Sequence, residues 1–127
     1  MHTPWGPSQQ QETKAPGIIS VSTAGHGGYR LSAERMLEIE RRFPTFTPFA
    51  GACWLEEDCD WAFAAVTWPE LWEDRMVYYA VKSILQSYDG RHADELRKSC
   101  PVAMKIHQRF SEEVEGSNAA LQSSSVG

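Results

Sequence analysis

The chain has 127 residues and a net charge of -5, with 42% hydrophobic and 23% charged residues. This composition excludes an intrinsically disordered chain, and the length predicts one domain that buries a core without disulfides or a structural metal. The negative charge argues against a general affinity for nucleic acid, because such binding depends on Lys and Arg that neutralise phosphates.

The cysteines and the apolar runs indicate the cellular compartment in which the protein is expected. Cys53, Cys59 and Cys100 are an odd number in a chain without a charged and then apolar leader. We therefore expect reduced thiols in a cytoplasmic protein. The longest apolar runs, 61–66 and 76–81, fall well short of the roughly 20 residues that span a bilayer, so we expect no membrane protein.

The first part of the chain predicts an arm followed by a hairpin. Residues 1–16 contain three prolines and a Gln run, which is typical of an extended N-terminal arm. Trp5 is expected to dock on the fold, because a large ring is rarely left loose. Residues 18–21 and 29–31 favour strands, and the glycines of Gly25–Gly28 between them permit positive φ, so we expect a β-hairpin.

The middle of the chain predicts helices. Ser32 is a candidate N-cap for a helix to about Phe43, which Pro44 ends. Tryptophans at 54, 61 and 68 recur every seven residues, which favours a helix with the indoles on one face. A buried strand over 61–67 is the alternative, because a short apolar run does not define its own period.

Three further helices complete the prediction. A long helix should begin at Pro69 and reach about Tyr88, with a buried stripe of Trp72, Met76, Tyr79, Ala80 and Ile84. A short helix near 92–98 and another from Pro101 should follow. The last of these carries apolar residues in steps of four, namely Val102, Ile106, Phe110 and Val114.

These elements predict an α+β fold in which a small antiparallel sheet or hairpin packs against three to five helices. The predicted organisation is an arm over 1–16, one globular domain over 17–115 and a flexible tail over 116–127.

Charge is distributed unevenly along the chain. Residues 56–74, called the acidic segment below, carry seven acids and no bases, whereas residues 75–111 carry seven bases and three acids. The acids are Glu56, Glu57, Asp58, Asp60, Glu70, Glu73 and Asp74. They could be the solvated rim of a tryptophan-rich core. They could also form a partner-binding surface that attracts a basic protein surface, including that of a nucleic-acid-binding complex.

Catalysis has weaker candidates. His26 lies in a glycine-rich loop that could expose backbone N–H groups, although a plain hairpin turn accounts for the same pattern. Cys59 and Asp60 could act with it, but the carboxylates around Cys59 disfavour the thiolate that a nucleophile needs. No phosphate-loop or dinucleotide-binding pattern is present. The spacing of Cys and His offers no chelating pair, so we predict neither a metal nor a cofactor.

Three stretches carry a family resemblance: "TPWGPSQ" from Thr3, "PGIISVSTAGHGGYRLS" from Pro16 and "CWLEEDCDWAFAAVTWPEL" from Cys53. They resemble an uncharacterised family of small bacterial proteins, the domain of unknown function numbered 7007, found in bacterial genomes, plasmids and phages. The resemblance implies no activity, cofactor or catalytic residue. Its association with mobile elements implies a small accessory protein.

Two hypotheses of function follow. The first is a non-enzymatic binding protein that inhibits a bacterial defence complex, of the nuclease or CRISPR type, through the acidic segment. The alternative is a small hydrolase or transferase that uses His26 with Cys59 or a nearby carboxylate. A homodimer is a further possibility.

Overall fold

The structure is a computed structural model that describes residues 2–48, 53–58, 60–87 and 90–126. A four-stranded antiparallel sheet has the order β3-β4-β5-β6, and a separate hairpin pairs β1 with β2. The strands are β1 His2–Thr3, β2 Gly6–Pro7, β3 Gln10–Ala15, β4 Ile18–Ser22, β5 Gly27–Leu31 and β6 Trp54–Glu56. The helices are α1 Ala33–Arg42, α2 Trp61–Thr67, a 3₁₀ helix Pro69–Leu71, α3 Asp74–Gln86, α4 Ala93–Ser99 and α5 Pro101–Val126. The fold is α+β, as predicted.

The predicted hairpin is β4–β5. Ile18 and Leu31 pair across it and are buried, and Thr23 closes the turn by donating from its backbone N–H to the carbonyl of His26 at 2.7 Å. The glycine cluster does not use the positive φ that it permits, because among the described residues only Gly6, Gly17 and Gly90 are glycines with positive φ. The glycines of β5 instead permit close approach by their neighbours.

The N-terminal arm is more structured than its composition predicts. Trp5, at the turn between β1 and β2, lies against Gly28 on the sheet and meets Trp54 edge-on, with ring centroids 5.7 Å apart. The residues of β3, within the predicted arm, pair with β4 as the first strand of the sheet. Backbone pairing explains this difference, since a polar Gln run can still satisfy its N–H and C=O groups in a ladder.

Helix α1 forms where it was predicted. The Ser32 side chain accepts a hydrogen bond from the backbone N–H of Arg35, and Met36 and Ile39 are buried. Arg35 then ties the helix to the β3–β4 turn, because its Nε and Nη2 donate to the carbonyl oxygen of Pro16 at 3.1 and 2.8 Å.

The seven-residue spacing of the tryptophans predicted a helix at Trp54, and that prediction was wrong. Trp54 lies in β6, where Arg30 of β5 is its register partner, and not in a helix. Residues 61–67 form helix α2, so the strand alternative is wrong, and Ala62–Thr67 are buried. The helix could not extend back to Trp54, because residues 54–56 satisfy their backbone groups at the sheet.

The helix predicted from Pro69 is broken in two. After the 3₁₀ helix the chain is extended at Trp72, with φ -127° and ψ 157°, and α3 begins at Asp74. This break changes the phase of the helix, so the buried residues are Val77, Ala80, Val81 and Ile84. Met76 and Tyr79 of the predicted stripe are 39% and 46% exposed. The predicted end near Tyr88 lies outside the described residues.

Helices α4 and α5 follow the prediction in position. On α5 Ala103 is buried, and the Phe110 ring lies 4.8 Å from that of Tyr78 of α3. Val102 and Val114, the two ends of the predicted stripe, are 58% and 40% exposed. Four-residue steps drift around a helix of 3.6 residues per turn, so these two residues face directions roughly 120° apart. The helix runs on to Val126, through the residues predicted to form the tail.

A buried aromatic cluster joins the helices. Phe63 of α2 stacks on Phe46 with 3.9 Å between ring centroids and meets Phe43 edge-on at 4.9 Å. His92, which is 2% exposed, meets Phe63 edge-on, and its Nδ1 lies 2.9 Å from a carboxylate oxygen of Glu95. Burial would raise the pKa of Glu95, but hydrogen bonds with Thr45 and His92 hold it below its ordinary value.

Candidate binding site in the acidic segment

The acids of the acidic segment fall into two groups. The first, called the β6 group below, contains Glu56, the last residue of β6, and the acids just after the strand, Glu57, Asp58 and Asp60. The backbone N–H of Glu57 donates to the carbonyl of Gly27 at 3.1 Å, which places this group beside the β4–β5 turn. Glu57 and Asp58 are exposed and Glu56 is half-buried, whereas Asp60 is only 3% exposed. Asp60 therefore adds charge from beneath the surface.

The second group has a structural explanation. Glu70 lies in the 3₁₀ helix, Glu73 is the N-cap residue of α3, and Asp74 is in its first turn. All three are exposed. Carboxylates at a helix N-terminus are stabilised by the positive end of the helix dipole, so Glu73 and Asp74 contribute to the start of α3 whatever else they do.

Negative charges in the β6 group oppose the ionisation of Glu56. The pKa of Glu56 is raised above its ordinary value, first by partial burial and then by the negative charges of Asp58 and Asp60. Glu57 adds to this effect and His26 opposes it. The neighbouring carboxylates are therefore close enough in space to Glu56 to oppose its ionisation.

The ion pairs of the described residues lie elsewhere. They join Glu38 to Arg41 and Arg42, His92 to Glu95, and Asp94 to Arg97. Among the described residues, none of these ion pairs involves the exposed acids Glu57 and Asp58. The exposed carboxylates Glu57 and Asp58 thus face solvent without a cationic partner from the described part of the chain.

Three cations lie over indole rings. Lys14 lies 4.6 Å from the centroid of Trp72, Arg35 lies 4.6 Å from that of Trp68, and Arg30 lies 5.9 Å from that of Trp54. Sequence reasoning missed these contacts, because each joins residues far apart in the chain. The rings that were expected to attract a partner's cations are already covered by this chain's own cations.

Neutralising Glu56 is expected to stabilise the free protein. The folded-state pKa of Glu56 is raised, so its ionisation opposes folding above that pKa and has no effect well below its ordinary pKa. We expect Glu56→Gln to raise Tm at pH 7 by about 1 to 2 °C and to leave it unchanged near pH 3.

The matched control is Glu34→Gln. Glu34 lies in the first turn of α1, where its charge favours the helix, so its neutralisation should lower Tm slightly at pH 7. Thermal unfolding followed by circular dichroism at both pH values measures these differences. A lower Tm for Glu56→Gln at pH 7 would contradict the repulsion within the β6 group.

His26 lies in the turn as an exposed residue. Its backbone N–H donates to the Thr23 hydroxyl oxygen at 3.1 Å, as in an ordinary hairpin turn. Within the described residues its ring makes no hydrogen bond with Asp58, and Cys59 lies outside those residues. The hydrolase or transferase hypothesis stays a prediction, supported here only by the attraction between His26 and Glu56.

The remaining thiols and metal ligands form no catalytic constellation in the described part of the chain. Cys53 is half-buried, and Cys100 is buried with its Sγ 3.4 Å from the hydroxyl of Ser99. No cluster of three or more His, Cys, Asp or Glu side chains in residues 2–48, 53–58, 60–87 and 90–126 could hold a metal ion.

Taken together, the sheet, the helices and the β6 group define a small α+β protein with a local concentration of carboxylates. A family model described as a domain of unknown function, DUF7007, matches residues 1–123, and the chain belongs to that family. The match includes the residues after Glu73, where no motif carried the resemblance. No curated protein and no solved structure matches the chain. None of the described helices is both long and apolar enough to cross a membrane.

Proposed function

We propose that the chain is a non-enzymatic binding protein whose acidic segment binds a basic surface of another protein. The observation that carries the proposal is the β6 group, in which Glu57 and Asp58 are exposed, oppose the ionisation of Glu56, and have no ion-pair partner among the described residues. A cationic surface placed against them would replace repulsion with attraction. Binding is then favoured because it relieves an electrostatic repulsion that is already present in the free protein.

The two groups of acids are unequal in this proposal. Glu73 and Asp74 already favour the N-terminus of α3, so their presence needs no partner. The carboxylates of Glu57 and Asp58 oppose the stability of the free chain by their effect on Glu56. We therefore assign the main contact to Glu57 and Asp58, with Glu70 as an exposed contributor.

The tryptophans have a supporting role. Trp54, Trp68 and Trp72 are half-buried and carry Arg30, Arg35 and Lys14 over their rings. A partner's arginine would have to displace one of these cations to stack on an indole. The proposal therefore rests on carboxylates as contact groups, while the indoles support the surface from within.

The class of partner that fits best is a protein with a basic channel. Nucleases and other nucleoprotein complexes bind nucleic acid through Lys and Arg, and a protein face that carries carboxylates can occupy the same cations. With the mobile-element association that the family resemblance implies, this favours an inhibitor of a bacterial defence complex. That assignment is based on an analogy with the role of other small proteins of mobile elements, not on a site residue of this chain.

Affinity capture from the host, followed by mass spectrometry, tests the proposal. The wild-type chain is expected to recover a basic protein or nucleoprotein complex. The Glu57→Lys/Asp58→Lys variant should recover it at least about tenfold less well, because both contacts become repulsive.

The control variant is Glu40→Lys/Glu113→Lys, which changes the net charge by the same amount at exposed positions on α1 and α5. It should recover the partner as the wild type does. Equal loss in both variants would show that only total charge matters, and recovery unaffected in both would remove the acidic segment from the interface.

A further inference from the structure

The first strand of the four-stranded sheet has an uncovered edge. Strand β3 is bonded on one side to β4 and has no strand on its other side among the described residues. Gln10, Gln11, Glu12 and Thr13 are all exposed, so no helix or loop of the described part of the chain covers them. An open edge presents unpaired N–H and C=O groups in the plane of the sheet and can accept another strand.

The opposite edge is less suited to pairing. Strand β6 has three residues, whereas β3 has six and no proline within it. The β1–β2 hairpin lies over β5 and β6 through Trp5, which contacts Gly28 and Trp54. It therefore leaves the β3 edge clear.

The charges on β3 are self-complementary. Glu12 and Lys14 are two residues apart, with Thr13 between them. In an antiparallel pair of two β3 strands with Thr13 on the twofold axis, Glu12 of each copy lies opposite Lys14 of the other. Opposite charges in directly facing positions stabilise a strand pair, and like charges destabilise it.

We propose that β3 pairs with β3 of a second copy of this chain in that register, joining two four-stranded sheets into one. Isologous contacts of this kind are the usual way in which soluble proteins form twofold dimers.

Other registers are less favourable. A shift of one residue leaves both charges opposite neutral side chains and reverses the faces of the side chains. A shift of two residues places Glu12 opposite Glu12, or Lys14 opposite Lys14. The sequence of β3 therefore selects one register for self-pairing.

Two features that commonly blunt an edge are also present here. The pairing with β4 shifts register between Thr13 and Ala15, which leaves Lys14 without a register partner in β4, and Lys14 is a charged edge residue. The shift gives the edge a local twist that both copies would share. The Lys14 ammonium is already held over Trp72, so it loses little further freedom when Glu12 of the second copy approaches. Few contacts other than those of the two β3 strands would join the two copies. We therefore expect the dimer to have a dissociation constant on the order of micromolar.

Sedimentation equilibrium of the full chain across a concentration series tests the dimer. The wild type should show a reversible monomer–dimer equilibrium. Glu12→Lys should weaken it at least about tenfold, because it places lysines opposite each other, and Lys14→Glu should weaken it similarly. The double variant Glu12→Lys/Lys14→Glu should restore it, since the pairs are then re-formed with their signs exchanged.

Glu40→Lys is the matched control, because it changes net charge equally on α1 and should leave the equilibrium unchanged. A wild type that stays monomeric throughout the series would overturn the proposal, as would a double variant no better than its two parents. All of these variants leave the acids of the acidic segment intact, so failure here does not bear on the proposed binding function.

Disulfide cross-linking tests the register of the β3–β3 pair directly. At the twofold axis the two Thr13 side chains face each other with Cβ atoms about 4.5 to 5.5 Å apart, close to the span of a disulfide. Thr13→Cys should form a covalent dimer under mild oxidation, well ahead of Ala24→Cys in the exposed β4–β5 turn. Equal cross-linking at the two positions would contradict the register.

Discussion

Replacing Phe63 with alanine is expected to lower the free energy of unfolding by about 3 to 5 kcal/mol. The Phe63 side chain is fully buried, stacks on Phe46, and meets Phe43 and His92 edge-on. Its truncation leaves a cavity between α1, α2 and α4 and removes the ring contacts with Phe43, Phe46 and His92. Urea unfolding followed by tryptophan fluorescence measures the loss.

A milder variant and a surface control keep this result interpretable. Phe63→Leu should lose less than Phe63→Ala, because most of the cavity is filled again. Leu37→Ala on α1, where Leu37 is 57% exposed, should change the free energy of unfolding by about 0.5 kcal/mol or less. A Phe63→Ala variant as stable as Leu37→Ala would show that the aromatic cluster is not the centre of the core.

Adding one methyl group at Gly28 should lower the free energy of unfolding by about 1 to 3 kcal/mol. A Cβ at this position would overlap the carbonyl oxygen of Leu55 and lie 2.5 Å from Cη2 of Trp5. Either β6 or the β1–β2 hairpin must move to accommodate it. Thermal and urea unfolding of Gly28→Ala measure the effect.

The neighbouring turn offers the control. No heavy atom lies within 4 Å of a Cβ built on Gly25, so Gly25→Ala should be nearly neutral. Combining Gly28→Ala with Trp5→Leu should cost less than the sum of the two single changes, because the shorter side chain relieves part of the overlap. Full additivity would contradict the contact between Trp5 and the sheet.

Local signals in the sequence predicted the elements that local chemistry determines. Ser32 and Pro44 lie at the two ends of α1, and the glycines between residues 18–21 and 29–31 mark the β4–β5 hairpin. In these cases the cap, the turn and the periodicity all favour the same element, which is the condition under which sequence reasoning succeeds.

The errors arose where distant partners decide the structure. Trp54 shares a seven-residue spacing with Trp61 and Trp68, yet strand pairing with β5 places it in the sheet. The extended residue Trp72 shifts the phase of α3, and no periodicity count detects such a break. In both places, contacts with residues far away in the sequence override the local preference for a helix.

The candidate site was predicted in composition but not in arrangement. The sequence shows seven acids without a base, but not that Asp60 is buried or that Glu73 and Asp74 favour the start of α3. It also gives no sign that Lys14, Arg30 and Arg35 lie over tryptophan rings. These distinctions depend on three-dimensional neighbours, and they narrow the proposed contact to Glu57 and Asp58.

The most direct measurement is the salt dependence of affinity for the captured partner, determined by titration calorimetry for the wild type and for Glu57→Gln/Asp58→Asn. If these carboxylates contact a basic surface, the wild-type affinity should fall steeply between low and physiological salt, and the neutral variant should bind more weakly with a shallower dependence. Equal affinities and equal salt dependences in the two proteins would contradict the account.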